Sequence, residues 1–271
     1  MLRPKGCAGS SPASGTKEKL GEAVTVMRAR ASAVLLVLVA GLTACAGPTV
    51  DAPAEFGAWA SAQEYVASVD TGSASGLTAH IVVEGAIGAD ELSTLSEAAL
   101  TEAAALGASS PSINLIVGNA WGFSVDAAGA HVATINTLRD DRTFVGATVE
   151  YEALNSKAGD TSGLRGIVGS QAALRDAYAA LVTAMGDDVD GLAITATTAD
   201  GAFAISGSGP TQPEAAIALW QAISGRVLIS EATASPEGLD ITVPSPEDQV
   251  TAEAIGTEHP DVALTVHEQP R

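Results

Sequence analysis

Cysteine is almost absent: Cys7 and Cys45 are the only two in 271 residues. Beyond Cys45 there is therefore no thiol left for a disulfide, a zinc site or a cysteine nucleophile. Basic residues are scarce too. Six of the 13 lysines and arginines, but only two of the 32 acidic residues, precede Cys45; the remainder sets seven basic residues against 30 acidic ones, and Lys157 is its single lysine. The resulting net charge of −23 repels phosphate backbones and anionic head groups, which argues against nucleic acid as a partner and against polybasic attachment to a membrane. Aromatic residues make up 4% of the chain, too few to line a sugar-stacking cleft readily, and the spacing of Trp59, Trp121 and Trp220 reads as core or cap. The surplus of Ala, Gly, Thr, Val and Asp reads mainly as a high-GC codon signature.

What is present begins with a hydrophobic fraction of 46%, ample for a buried core and enough chain for one or two domains. Met27-Arg28-Ala29-Arg30 leads into an apolar run from Ala31 to Leu42. That order is a basic n-region and an h-region of about a dozen residues, too short for a bilayer span, which needs about 20.

Leu42-Thr43-Ala44-Cys45 follows directly and resembles the lipobox of bacterial prolipoproteins, with a branched apolar residue three places before the cysteine and a small one just before it. The resemblance implies diacylglycerol on the Cys45 thiol and cleavage between Ala44 and Cys45. Each buried methylene of such an anchor contributes about 0.8 kcal/mol, so two or three chains hold stably where one binds reversibly. Residues Met1 to Val26 are long, polar and Gly/Ser-rich for an n-region, and Met27 is the expected start of the physiological product.

Five segments are expected: 1–26 an upstream extension, 27–44 a lipoprotein signal peptide, 45–76 a tether with a short helix, 77–155 a first α+β unit, and 160–271 a second unit with a partial third repeat. In the first unit, strands are read at Leu77–Glu84, Ile113–Val117, Trp121–Val125 and Phe144–Tyr151. Helices are read at Asp90–Leu106, ended by Gly107, and at Ala130–Leu138. In the second, strands fall at Leu164–Val168, Leu192–Thr197, Phe203–Ser206 and Val227–Glu231. Ser170 is expected to cap one helix, and Thr211-Gln212-Pro213-Glu214 to form a capping box for the next. The tail adds a strand at Leu239–Val243, a cap at Ser245-Pro246-Glu247-Asp248, a helix at Val250–Ile255 and a strand at Val262–Val266. Phe203 and Leu239 open equivalent units about 36 residues apart.

The order βαββαβ, repeated, gives the expected class: α+β, with helices packed on antiparallel or mixed sheets in units resembling the ferredoxin-like sandwich. Ala204-Ile205-Ser206-Gly207-Ser208-Gly209, placed before an Ala-rich helix, resembles the bacterial BON module of the cell envelope. Its glycine pattern after the helix is incomplete, and Pro236 and Pro260 depart from that family's pattern.

Motifs for chemistry are few. Asp187-Asp188-Val189-Asp190-Gly191 looks like half of a calcium loop, but Gly186 and Thr197 stand where ligands are needed, and a solvated turn accounts for it better. His80, His131, His259 and His267 are scattered and form no HExxH pair. Gly207-Ser208-Gly209 meets Gln212 where a dinucleotide loop requires a third glycine, and reads as a turn. Acidic pairs such as Asp140-Asp141 and Glu150 with Glu152 are uninformative in so acidic a chain. No catalytic, cofactor or metal residue is nominated; Cys45, as a lipidation site, is the one candidate.

The expected function is a noncatalytic binding or structural lipoprotein, anchored to the cell membrane through Cys45 and facing away from the cytoplasm. Its expected partners are the membrane itself and an envelope protein or the cell wall. The alternative is a surface-anchored hydrolase or small-ligand receptor whose site is assembled from distant residues.

Overall fold

Apolar residues recurring every second position, broken by Gly and Pro turns, write strands; runs recurring every three to four write helices. In the computed structural model, which describes residues 51–73, 76–150, 163–186 and 192–270, these patterns resolve into six α-helices and eleven strands. The order is α1 (Ala52–Ser61), β1 (Val66–Gly72), β2 (Thr78–Val83), α2 (Ala89–Ala105), β3 (Ser112–Val117), β4 (Trp121–Ser124), α3 (Ala130–Asp140), β5 (Phe144–Val149) and β6 (Leu164–Val168). It continues with α4 (Leu174–Met185), β7 (Ala193–Thr198), β8 (Phe203–Ser208), α5 (Glu214–Ser224), β9 (Glu231–Ser235), β10 (Gly238–Val243), α6 (Pro246–Gly256) and β11 (Leu264–Glu268).

All eleven strands join one mixed sheet, paired in chain order from β1 to β11. Antiparallel and parallel pairs alternate: β1–β2, β3–β4, β5–β6, β7–β8 and β9–β10 are antiparallel, and the intervening pairs are parallel with a helix between. The α+β class and the βαββαβ order are as expected. The pairing differs from a ferredoxin-like unit, whose split βαβ holds another strand between the two parallel ones; here the parallel strands are direct neighbours.

Register shows why one face of the sheet is core. Val69, Ile81, Leu115, Phe123, Val149, Leu164 and Ile194 are successive partners across β1 to β7. Ala196, Ile205, Ala234, Leu239 and Leu264 continue the row to β11. Every helix buries its apolar stripe on this face, with Leu92, Ala99, Ile135, Leu181, Leu219 and Ala252 fully buried. Fully burying a leucine or isoleucine contributes about 1.5–3 kcal/mol each. The adjacent positions make the other face: Asp70, His80, Asn114 and Ser124; then Thr148, Arg165, Thr195 and Ser206; then Thr233, Asp240 and Thr265. Among the described residues no helix lies on that polar face.

Neighbouring helices confirm the single layer: α1 packs on α2, α2 on α3, α3 on α4, and α5 on α6. Successive crossovers run in opposite strand directions while stepping the same way across the sheet. With all helices on one side, their hand must therefore alternate, a departure from the usual right-handed rule.

Several local expectations are corrected. Residues 66–72, expected within the tether and its short helix, form β1. The strand expected at Val227–Glu231 lies at Glu231–Ser235 instead, leaving Leu228 71% exposed. Ser170 precedes a single 3-10 turn, Gln171–Ala173, and its side chain caps nothing. The capping box at Thr211 does not form: Pro213 is the N-cap residue, and the Glu214 carboxylate turns to Arg175 instead. The cap at Ser245 is real, with its hydroxyl accepting from the Asp248 N–H at 3.1 Å. Gly107, in the left-handed region at φ +82, ends α2 as expected.

Gly207-Ser208-Gly209 has a packing role. The buried Tyr178 of α4 sends its hydroxyl to the Gly209 carbonyl at 3.3 Å and towards the Thr211 carbonyl at 3.5 Å. A Cβ on Gly207 would sit 2.2 Å from that hydroxyl oxygen, so only glycine admits the tyrosine. Burial pushes the Tyr178 phenol above its ordinary pKa.

Candidate functional site

Cys45, the lipobox, Tyr151, Glu152 and the Asp187–Gly191 segment lie outside the described residues, so the candidate site itself is known only as sequence.

A serine, a histidine and a carboxylate do come together at the start of α3. The Asp126 carboxylate accepts from the backbone N–H groups of Ala130 (2.9 Å) and His131 (3.0 Å), which anchors the helix N-terminus where anionic charge is favoured. His131 Nδ1 lies 3.7 Å from Asp126 and 2.7 Å from the Ser124 carbonyl. A carbonyl only accepts, so Nδ1 carries the proton and donates to it. The Ser124 hydroxyl faces Asn114 Oδ1 at 2.6 Å and the Glu150 carbonyl, not the imidazole. A nucleophile must share its proton with the base; this serine does not, and the group is a structural network tying β3, β4, β5 and α3.

The other histidines are separate. His80 is buried in β2 on the helix-free face, His267 pairs with Asp240 at 3.2 Å across β10 and β11, and the His259 N–H closes a turn onto Gly256. Among the described residues no group of three or more His, Cys, Asp or Glu is placed to hold a metal ion. Trp59 packs on Phe56 with ring centroids 5.3 Å apart, and Trp220 stacks on Phe203 at 5.9 Å and 10°. Trp121 packs partly buried against the core. All three tryptophans thus serve the helix-side core, as their spacing suggests.

Among the described residues, grooves open beside several of the helices. One of about 290 Å³ separates α4 from α5, with Leu174, Ile217 and Trp220 below and Gln171, Arg175 and Gln221 at its rim. Arg175 spends both its reach and its charge on the Glu214 carboxylate, at 2.9 and 3.0 Å. A second, of about 360 Å³, lies at the start of α5 with Glu214, Glu237 and Asp261 on its walls. A third, of about 320 Å³, lies between Tyr65 and the first turns of α2. These volumes sit at the low end for ligand sites, and no histidine lines any of them.

Two exposed carboxyls are held below the usual carboxylate range by local hydrogen bonds. Asp200 accepts from the Thr198 hydroxyl at 2.5 Å and the Ala202 N–H at 3.0 Å, and Glu237 accepts from Ser235. Both shape hairpin turns. The Arg175–Glu214 pair was not legible in the sequence, since 39 residues separate the partners and Glu214 also fits a capping pattern.

Compared with family models, with curated proteins and with solved structures, the chain matches none. No described helix is long and apolar enough to cross a membrane.

Proposed function

We propose that the protein is a lipoprotein of the bacterial cell envelope, held at the outer side of the cell membrane by acyl chains on Cys45, with a binding or structural role rather than a catalytic one. The observation that carries this reading is the order of a basic flank, a dozen-residue apolar run and Leu42-Thr43-Ala44-Cys45. The thiol-free, strongly acidic remainder fits an exported domain that takes its membrane contact from lipid and not from surface charge. Among the described residues the polar sheet face carries no helix, and its exposed positions, Arg165, Thr233, Asp240 and Thr265 among them, offer a surface to an envelope protein or to the cell wall.

We further infer that 78–149 and 164–235 are two copies of one βαββαβ unit, with 238–268 a partial third. Gly-Leu opens the first strand of each, at Gly76-Leu77, Gly163-Leu164 and Gly238-Leu239, and each leucine is buried. An alanine and an aromatic open the second half, at Ala120-Trp121 and Ala202-Phe203.

The test of anchoring is phase separation in a clouding detergent. The native protein partitions into the detergent phase, and Cys45→Ser, which cannot carry a thioether, stays in water. Equal partitioning of the two proteins would remove the proposal.

A further inference from the structure

A sheet that pairs in chain order ends in two edges, and they are finished differently. At β1 the register slips between Val66 and Ser68, and Tyr65 just before it has φ +68. A bulge of that kind blunts an edge against further pairing. β11 has no bulge: its five residues run in unbroken parallel register with β10, from Leu239↔Leu264 to Val243↔Glu268.

The ladder also says which groups of β11 are spare. The Leu239 N–H reaches the Ala263 carbonyl at 2.8 Å, and the Gln269 N–H reaches the Val243 carbonyl at 2.9 Å. Odd-numbered residues of β11 therefore turn their backbone groups inward. Leu264, Val266 and Glu268 present theirs to the outside, and among the described residues no strand meets them. On the helix side Leu264 and Val266 stay only partly buried, so the apolar row that crosses the sheet stops there unfinished.

We propose that β11 is a dimerisation edge, pairing with β11 of a second copy of this chain. Two features fit a second copy. Strand pairs alternate strictly along the sheet, and an antiparallel neighbour after the parallel β10–β11 pair continues that alternation; two copies related by a two-fold axis perpendicular to the sheet pair antiparallel by symmetry. The outward groups are also self-complementary. With the axis at Val266, that residue opposes its twin, Leu264 opposes Glu268 of the other copy, and every outward N–H meets an outward carbonyl. The two helix layers then share one side, and Leu264 and Val266 extend the apolar row across the joint. Thr265 and His267 oppose one another on the polar face. Because both copies are strongly acidic, association strengthens as salt rises.

The experiment uses the full chain in mild detergent, with its protein mass read by light scattering on a sizing column. The native protein is expected as a dimer, more completely in about 1 M salt, where the Debye length falls to about 3 Å. Val266→Pro removes an outward N–H without breaking a β10–β11 bond, and should give a monomer. Val266→Cys should form a covalent dimer on mild oxidation, since hydrogen-bonded antiparallel partners lie about 5.5 Å apart, within disulfide reach. Val250→Cys, on the exposed side of α6, controls for collision and should not. A native monomer at high salt, or a dimer that survives Val266→Pro with no crosslink through Val266→Cys, overturns the proposal.

Discussion

Placing alanine at Gly207 tests the packing account most sharply, because its cost should depend on one atom elsewhere. The new Cβ would lie 2.2 Å from Tyr178 Oη, 3.1 Å from Tyr178 Cζ and 3.3 Å from the Thr211 carbonyl. The side chain of Tyr178 is fully buried and cannot swing away, so strain of about 1–3 kcal/mol is expected for Gly207→Ala. Tyr178→Phe alone gives up two long hydrogen bonds, at 3.3 and 3.5 Å, and should cost about 1 kcal/mol. In the double variant the closest atom is gone, and only the 3.1 Å and 3.3 Å contacts must relax by a few tenths of an ångström. The pair should therefore be more stable than the sum of the singles by about 1–2 kcal/mol. Urea unfolding followed by circular dichroism, with m-values held equal across the four proteins, reads this directly. Additivity within about 0.5 kcal/mol would show that the hydroxyl does not set the glycine requirement.

Other outcomes follow from single features. Ser245→Ala should lose about 1 kcal/mol with the cap, whereas Thr211→Ala, whose hydroxyl caps nothing, should change unfolding stability by less than about 0.5 kcal/mol. Ser96→Ala in α2 should stabilise the protein by about 1 kcal/mol, because the buried Ser96 hydroxyl has no partner and alanine is the better helix former; a lower midpoint in thermal unfolding contradicts this. Asp200 has a depressed folded pKa, so its contribution is present above the ordinary aspartate pKa and is lost as pH falls through the folded value. Thr198→Val should move the Asp200 titration upward in carboxyl-detected NMR, and an unmoved curve would remove the Thr198 hydroxyl as the main cause.

Much of the fold is legible in the sequence where a side chain must choose between core and water. Leu92, Leu95, Ala99 and Ala103 mark the buried stripe of α2, and Leu77, Leu164 and Leu239 mark strand starts, all as buried as their pattern suggests. The edge strand β1 is hidden because Val66-Ala67-Ser68-Val69-Asp70-Thr71 packs on one side only and carries a bulge. β9 is misplaced for a related reason: Val227, Leu228 and Ile229 carry the β-branched and apolar signal, yet the core row is completed by Ala232 and Ala234, whose small side chains give little. Strand order is not written locally at all. One βαββαβ order fits both split and sequential pairing, and the choice between them is made by contacts between residues far apart in sequence. At the candidate site the position is reversed. Cys45 is legible from its neighbours in sequence and from nothing else.

The mass of the mature amino-terminal peptide, taken from the protein purified from its own membrane, addresses the anchoring claim without any variant. A peptide beginning at Cys45 and heavier by a diacylglyceryl group, with or without a further acyl chain, is the predicted result. A peptide that begins elsewhere, or that carries Cys45 with a free thiol, contradicts it.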